Sequence, residues 1–279
     1  TALAWLMLGR FALGPRRISR SQLYRTLLLW MVPLLIAPPM YSKDVYSYLA
    51  QSQITRIGLD PYKVGPAPGL GLDHVFTLSV PSLWRETPAP YGPLFLWIGR
   101  GISAITGENI VAAVLSHRLV VLVGVGMIVW ATPRLARRCG VAEVTALWLG
   151  AANPLLIMHL VAGIHNEALM LGLMLTGTEI TLRGIDSAAP LLPRPLRWPR
   201  TRADWTRWAP LALLGCGTVL IVMSSQVKLP GLLALGFTTM ALAYRWGGTI
   251  LAAIRAGLLT GALAVAVMAV IGWASGLGF

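Results

Sequence analysis

Long apolar runs separated by shorter polar segments dominate this chain. Most of these runs are close to the length of about 20 residues that an α-helix needs to cross a bilayer. The predicted spans are residues 26–40, 110–131, 144–162, 168–182, 208–225, 229–244 and 256–275. Because the runs are continuously apolar, they lack the alternation that strands of a membrane β-barrel require. The pattern therefore predicts an all-α, polytopic transmembrane helical bundle that forms a single domain over residues 1–279.

Both ends of the chain interrupt this pattern. The first apolar run has no polar beginning, and the last run stops at Phe279. We therefore expect this sequence to be a fragment cut at both ends, in which a signal peptide cannot be sought.

Composition and charge agree with a membrane protein. The chain is 56% hydrophobic and 12% charged, with a formal net charge of +13, and its mean hydropathy is +0.69. Sixteen of the 23 basic residues are arginines in alternate loops, at 10–25, 134–138, 183–207 and 245–255. The positive-inside rule assigns such loops to the cytoplasm. The charge thus predicts a multi-pass topology in the plasma membrane and no nucleic-acid partner, with the Pro- and Arg-rich loop 183–207 lying on lipid headgroups.

The long loop 41–109 then faces outward and is the predicted extracytoplasmic catalytic loop. It holds five of the ten acids in the chain. Residues 45–54 can form a short amphipathic helix because three of their apolar positions share one face. The Pro and Gly residues after Asp60 predict turns laid across the membrane surface.

Asp44 has two interpretations. It directly precedes the amphipathic segment, where a carboxylate can cap the helix. Pro38 and Pro39 end the preceding helix, so Asp44 also emerges on the outer side. There it could accept a proton from an acceptor hydroxyl. One carboxylate can serve both purposes.

A second polar group, His165–Asn166–Glu167, begins a helix on the same outer face. Asn166 could cap that helix, and Glu167 would then lie in the first turn, favoured by the helix dipole. The three side chains could equally hydrogen-bond a sugar. His165 and Glu167 are two positions apart in sequence and do not share a helix face. The binding of a divalent metal is therefore left open, without a defined ligand set.

Two cations complete the outer face. Arg118 lies nine residues after Asn109, about 13 Å into the membrane, where an arginine is costly unless it is paired. It therefore indicates a functional site or a buried ion pair. Lys228, between two outer helix ends, could meet an anion or could simply extend to the surface.

Four segments resemble one family: "SKDVYSYLAQ", "GLDPY", "TPAPYGPLFLW" and "HNEALMLGLML". They are similar to the polyprenol-phosphomannose-dependent α-1,6-mannosyltransferases of actinobacterial lipomannan and lipoarabinomannan assembly, which are integral membrane glycosyltransferases of the GT-C class. The resemblance covers most of residues 27–183. It implies a GT-C bundle that transfers mannose from polyprenyl phosphate mannose to a growing α-1,6-mannan lipoglycan on the outer leaflet, with inversion at the anomeric carbon.

The resemblance also implies roles for individual residues. The acid at the start of the first long outer loop is the catalytic base in that class, and the matching position is Asp44. The class commonly shows paired acids, whereas Lys43 and Val45 flank Asp44 here, so the second acid and the metal stay open. The leaving phosphate would be stabilised by Arg118, Lys228 or Arg85. The full set of predicted substrate-binding residues is Tyr46, Tyr48, Asp60, Trp84, Arg85, Glu86, Tyr91, Arg118, His165, Asn166, Glu167 and Lys228. Trp84 and Tyr91 could stack on sugar rings or anchor the loop at the membrane interface.

Three other functions are compatible with the sequence. A related enzyme could transfer another polyprenyl-phosphate sugar such as arabinose. A lipid-linked sugar transporter or flippase would account for the intramembrane Arg118 and for the many Gly and Pro residues in helices. A membrane scaffold without catalytic activity is the third.

Overall fold

The computed structural model describes residues 2–15, 18–187 and 202–278, with side chains from residue 208 onward in the last range. Residues 16, 17 and 188–201, which carry part of the predicted basic loops, lie outside the described residues.

The regular secondary structure of the described residues is helical and includes no strand. The α-helices are α1 (Ala2–Leu13), α2 (Arg20–Ile36), α3 (Asp44–Arg56), α4 (Pro66–Leu70), α5 (Val75–Ser79), α6 (Pro93–Thr106), α7 (Ile110–Arg138), α8 (Glu143–Leu149), α9 (Pro154–Leu156), α10 (Glu167–Ser187), α11 (Arg202–Ser225), α12 (Leu233–Arg245) and α13 (Ile250–Ser275). A π-helix at Ile157–Ala162 continues α9, and 3₁₀ turns occur at Ser82–Trp84 and Leu229–Leu232. The predicted all-α fold is confirmed.

Four of the described helices are long and apolar enough to cross a membrane: α7, α10, α13 and the Trp208–Ser225 part of α11. A fifth span results if α8 and the segment Pro154–Ala162, which are bent by 48° relative to each other, count as one. Many large apolar side chains on these helices are exposed, among them Leu119 and Val265. Such surfaces are expected of helices surrounded by lipid, and the polytopic helical prediction agrees with them.

Three predicted spans differ from the observed helices. The span 26–40 overlaps the later part of α2, which ends at Ile36 and begins earlier than predicted because Ser19 and Gln22 form a capping box. The span 144–162 is interrupted before Pro154, where Asn153 caps the new helix. The span 229–244 starts with a 3₁₀ turn that contains Pro230, which leaves α12 with only 13 residues.

The loop 41–109 is more ordered than the sequence pattern predicts. Its end forms α6, which packs against α3 and buries Leu94, Phe95 and Leu96. Helix α3 itself is not a surface helix, because even its polar residues Gln51 and Gln53 are buried. The Pro and Gly residues after Asp60 form turns and short helices up to residue 92, and α6 follows them as a regular helix. The amphipathic helix predicted at 45–54 is an internal one.

Close backbone approaches between glycines join the central helices. A Cβ added at Gly124 of α7 would overlap the backbone of Ala168 in α10, and one added at Gly172 would overlap Gly124 in return. Gly177 of α10 and Gly217 of α11 meet in the same manner. Helices in lipid gain little from hydrophobicity when they associate, so small residues that allow close packing provide much of the contact.

Ion pairs gather at the end of the bundle where α7 and α10 finish, here called the basic end and defined by Arg20, Arg138, Glu143, Glu179 and Arg183. Glu179, whose side chain is 4% exposed, accepts from Arg138 Nε at 2.6 Å and from Arg183 Nε at 2.7 Å. Glu143 pairs with Arg20 at 2.5 Å. The basic end lies about 24 Å along α10 from Glu167, so the two ends of the bundle carry different chemistry.

Arg118 closes the end of α2. Its Nη1 donates to the carbonyl of Leu35 and its Nη2 to the carbonyl of Ala37, each at 2.7 Å. In an uninterrupted helix the carbonyl of Leu35 would accept from the amide of residue 39, but Pro39 has no N–H. The buried Arg118 side chain therefore supplies a donor to the Leu35 carbonyl, which Pro39 leaves without a partner, and also donates to the carbonyl of Ala37 just beyond the helix.

The glycine contact between α7 and α10 generates a stability prediction. We expect Gly124→Leu to lower the free energy of unfolding by about 1–3 kcal/mol or more, because the side chain meets the backbone of α10. Thermal unfolding of the detergent-purified protein measures the effect. Gly126→Leu is the matched control on the same helix, since no atom lies within 4 Å of a Cβ added there. Equal melting temperatures for the two variants would contradict the packing.

The capping role of Arg118 generates a second prediction. Arg118→Met should destabilise the protein by about 3–6 kcal/mol, because two charge-assisted hydrogen bonds are lost and two carbonyls are left without donors. Arg118→Lys should recover part of the stability, because a single ammonium retains the charge but not the two-pronged geometry. Melting temperatures of the three proteins test this. An unchanged melting temperature combined with loss of activity would instead assign Arg118 to the substrate.

Candidate active site

Four ionisable side chains from distant parts of the sequence meet at the opposite end from the basic end. Asp44 Oδ2 lies 3.4 Å from His165 Nδ1, and the same nitrogen lies 3.6 Å from Glu167 Oε2. The ammonium of Lys228 contacts the other oxygen of Glu167. The four side chains form a row, here called the acid–histidine–lysine row.

Asp44 is held from two sides. The Ser42 hydroxyl donates to Asp44 Oδ1 at 2.7 Å and accepts from the Asp44 amide at 3.1 Å. The prediction that Asp44 is the N-cap is wrong, because Lys43 has that position and Asp44 is the first residue of α3. A carboxylate in the first turn is still stabilised by the helix dipole. Its side chain is 25% exposed, so the carboxylate is oriented and accessible.

An unusual backbone presents His165. It follows the π-helix Ile157–Ala162 and Ile164, a fully buried β-branched residue with φ of 56°. Such residues rarely adopt positive φ, and the strain is retained where the surrounding structure fixes it, often at functional sites. The amide of Met40 donates to the carbonyl of Ala162 at 3.0 Å, which joins this turn to the segment that leads into Asp44.

Lys228 is positioned by the start of α6. The amide of Gly92 donates to the carbonyl of Val227 at 3.1 Å, and the amide of Leu94 donates to the carbonyl of Gln226 at 3.0 Å. A Cβ at Gly92 would overlap the backbone of Gln226, so this approach requires glycine. The loop 41–109 thus holds the turn that carries Lys228.

Two tyrosines lie beside the row. Tyr48 and Tyr91 contact each other edge to face at 5.0 Å, and Lys228 Nζ lies 6.0 Å from the Tyr91 ring. Burial raises the pKa of both phenols, and the nearby Asp44 carboxylate raises each pKa further. Both side chains are therefore neutral near pH 7 and can donate hydrogen bonds.

Asn166 lies in the sequence between His165 and Glu167, which both belong to the row. It is 1% exposed, and neither its amide oxygen nor its amide nitrogen has a hydrogen-bond partner. The prediction that its side chain caps α10 is therefore wrong, whereas Glu167 does lie in the first turn. A buried polar group without a partner costs about 1–3 kcal/mol. Asn166 is thus available for a hydrogen-bonding ligand or water.

The structure does not bring the remaining predicted residues into the row. Arg85 donates to the carbonyls of Val80 and Leu78 at 3.0 and 3.1 Å. Asp60 accepts from the amide of Tyr62 at 2.9 Å, and this hydrogen bond lowers the pKa of Asp60.

Three further predicted residues and Arg118 have other surroundings. Trp84 and Glu86 are exposed, and Tyr46 packs half-buried against the core. Arg118 makes the helix-end contacts described above. The predicted set thus separates into the row with its neighbours Tyr48, Tyr91 and Asn166, and a group that has structural contacts elsewhere or is exposed.

Sequence reasoning missed two residues of the site. Ser42 could have been recognised, since a hydroxyl two residues before an acid commonly forms a local turn of this kind. His159 stacks on His165 with ring centroids 3.9 Å apart. Regular helical spacing could not indicate that stack, because a π-helix and a strained residue lie between the two histidines.

No metal centre is evident in the described part of the chain. Among those residues, no group of three or more His, Cys, Asp or Glu side chains could hold a metal ion. The positive charge beside Glu167 is supplied by Lys228.

Comparisons with known proteins identify the family. The family model described as alpha-(1→6)-mannopyranosyltransferase, N-terminal domain, matches residues 1–244. A probable alpha-(1→6)-mannopyranosyltransferase of Mycolicibacterium smegmatis is 78% identical over 278 residues, which is 100% of this chain and 50% of that protein. A Mycobacterium tuberculosis alpha-(1→6)-mannopyranosyltransferase is 70% identical over 301 residues, covering 100% of this chain and 51% of the relative.

A more distant relative extends the comparison. Alpha-(1→6)-mannopyranosyltransferase B of Corynebacterium glutamicum is 41% identical over 249 residues, covering 86% of this chain and 39% of that protein. No solved structure matches the chain. The chain spans about half the length of the first two of these curated relatives. It belongs to the alpha-(1→6)-mannopyranosyltransferase family, which confirms the resemblance drawn from its motifs.

Proposed function

We propose that the acid–histidine–lysine row is the catalytic centre of an α-1,6-mannosyltransferase. The donor is polyprenyl phosphate mannose and the acceptor is a growing α-1,6-mannan lipoglycan of the lipomannan type. The observation that carries this proposal is the row itself, in which an accessible carboxylate and an accessible ammonium lie in one continuous set of contacts. Family membership supports the sugar and the linkage.

Asp44 is the proposed general base. A base must be exposed enough to meet the acceptor and oriented enough to accept its proton. The Ser42 hydroxyl engages one oxygen of Asp44 and His165 approaches the other. With a proton on Nδ1, His165 can donate toward Asp44 and Glu167 alike. It thereby separates the two carboxylates and orients each of them.

The reaction is a single in-line displacement. The acceptor's 6-hydroxyl oxygen forms a bond to the anomeric carbon of the donor mannose while the bond from that carbon to the phosphate oxygen breaks. The electron pair leaves with the phosphate, and the hydroxyl proton passes to Asp44. The β-linked phosphate is thereby exchanged for an α-glycoside with inversion.

Lys228 is the proposed partner of the leaving phosphate. Its side chain is 37% exposed and makes one described ionic contact, to Glu167, so two of its three N–H donors are free of that pair. A positive charge placed where negative charge develops lowers the barrier without any need for an acid. Tyr91 and Asn166 beside the row are suited to bind sugar hydroxyls by hydrogen bonds.

We further propose that the row lies on the extracytoplasmic face of the plasma membrane. The basic end is at the other end of α10, and arginine-rich ends of membrane helices favour the cytoplasm. A lipid-linked donor would then approach within the bilayer and the mannan acceptor from outside it.

Replacement of the base gives the direct test. Asp44→Asn should reduce the turnover of mannose transfer by about 10²- to 10⁴-fold, because the amide retains the Ser42 contact but cannot accept the proton. Membranes that contain the full native protein are assayed with polyprenyl phosphate mannose and a short α-1,6-mannan. Asp73→Asn, an exposed acid of the same loop, is the control and should keep wild-type turnover. Undiminished transfer by Asp44→Asn would exclude this base, and transfer of arabinose but not mannose would change the donor.

The leaving-group role predicts a separate effect. Lys228→Gln should lower turnover by about 10²-fold, and Lys228→Arg should restore part of it because the charge returns. Lys63→Gln is the control, since Lys63 is an exposed cation of the loop that pairs only with Asp60 among the contacts described. If Lys228→Gln changed the melting temperature but not the turnover, the Lys228–Glu167 pair would be structural.

A further inference from the structure

An apolar groove begins directly after Lys228. It has a volume of about 560 Å³ and is lined by Leu229, Pro230, Leu232, Leu233 and Gly236. Its size falls within the range of about 300–1,000 Å³ that small-molecule sites occupy. The lining contains no charged side chain, so the groove suits a hydrocarbon and offers nothing to a carbohydrate.

The groove continues into an apolar stripe along α12. Leu233, Phe237, Met240 and Tyr244 recur at helical spacing, and each is at least 60% exposed. A helix of 13 residues is about 20 Å long. The stripe therefore extends from Lys228 over much of the distance to the other end of the bundle. An extended chain could follow it across much of one leaflet.

The turn that forms the groove packs closely against its neighbours and is attached to the row. A Cβ at Gly231 would overlap Ser224, so the turn lies directly on the end of α11. The bonds from Gly92 and Leu94 hold the preceding residues. The groove therefore has a fixed position relative to Lys228 and, through Glu167 and His165, to Asp44.

We propose that this groove binds the isoprenoid chain of the lipid-linked donor, with its phosphate against Lys228. The proposal rests on the proposed function above and adds the surface that holds the lipid. A cation at one end of an apolar groove complements an amphiphile with a single anionic head. The mannan lipoglycan acceptor also carries a lipid, but the 6-hydroxyl that reacts belongs to its growing sugar end and not to its lipid end. A membrane phospholipid has an anionic head as well, but that head has no sugar to bring to Asp44.

A filled groove tests the assignment. Gly236→Leu places a side chain in the groove, and no atom lies within 4 Å of a Cβ added at Gly236, so the fold accommodates it. In the full native protein, this variant should raise the KM for a long-chain polyprenyl phosphate mannose about tenfold and leave kcat unchanged. With a donor of only two isoprene units its KM should rise less, because less of that chain lies in the groove. Gly126→Leu, equally exposed and equally open, should change neither value.

The outcomes separate the two proposals. If the wild type transfers mannose and Gly236→Leu leaves the KM for both donors unchanged, the groove assignment is wrong while the function stands. If the wild type transfers mannose from neither donor, the proposed function fails.

A second measurement does not depend on turnover. A donor analogue with a photoreactive group in its isoprenoid chain should label the peptide of residues 229–245, and unlabelled donor should compete with it. Labelling confined to other helices would overturn the proposal. Labelling that excess phospholipid removes and unlabelled donor does not would assign the groove to membrane lipid instead.

Discussion

The structure depends on how the chain leaves α2. Two consecutive prolines remove the amides that would have served the last carbonyls of that helix, and the break lies in a protein whose surroundings offer those carbonyls little water. Arg118, from the middle of the sequence, supplies the donor that the Leu35 carbonyl lacks and also donates to the carbonyl of Ala37. The contact of Arg118 with the end of α2 also fixes the direction of the residues that follow. These residues lead to Asp44 at the start of α3.

Around this fixed point the molecule combines tight packing with local strain. Glycines let α7, α10 and α11 approach to backbone contact, which defines where α10 begins. Ile164 and Tyr41 both hold positive φ, and they precede His165 and Asp44. Strained residues persist only where neighbouring structure determines them. The rigid helices thus hold two side chains in a geometry that the local chain would not adopt alone.

The two ends of the bundle differ in how their charges are used. At the basic end, Glu179 is buried and fully engaged by two arginines, which is the arrangement of a structural ion pair. In the row, Asp44 and Lys228 keep accessible surface, and Asn166 keeps unpaired amide atoms. Partial exposure and incomplete pairing distinguish a site that can bind a ligand from one that only holds helices together.

Sequence alone determined the helical membrane fold, most of its spans and the segments that supply the candidate site, because apolar length is a local property of the chain. It also selected Asp44, His165, Glu167 and Lys228 as candidates, although it placed Arg118 among the same group. Only the tertiary structure decided which candidates share a site. The pairing of residues 44, 165 and 228 results from contacts between helices far apart in sequence, from a π-helix and from a strained turn. No periodicity encodes such contacts, since they follow from which backbone groups lack partners and which side chains can reach them.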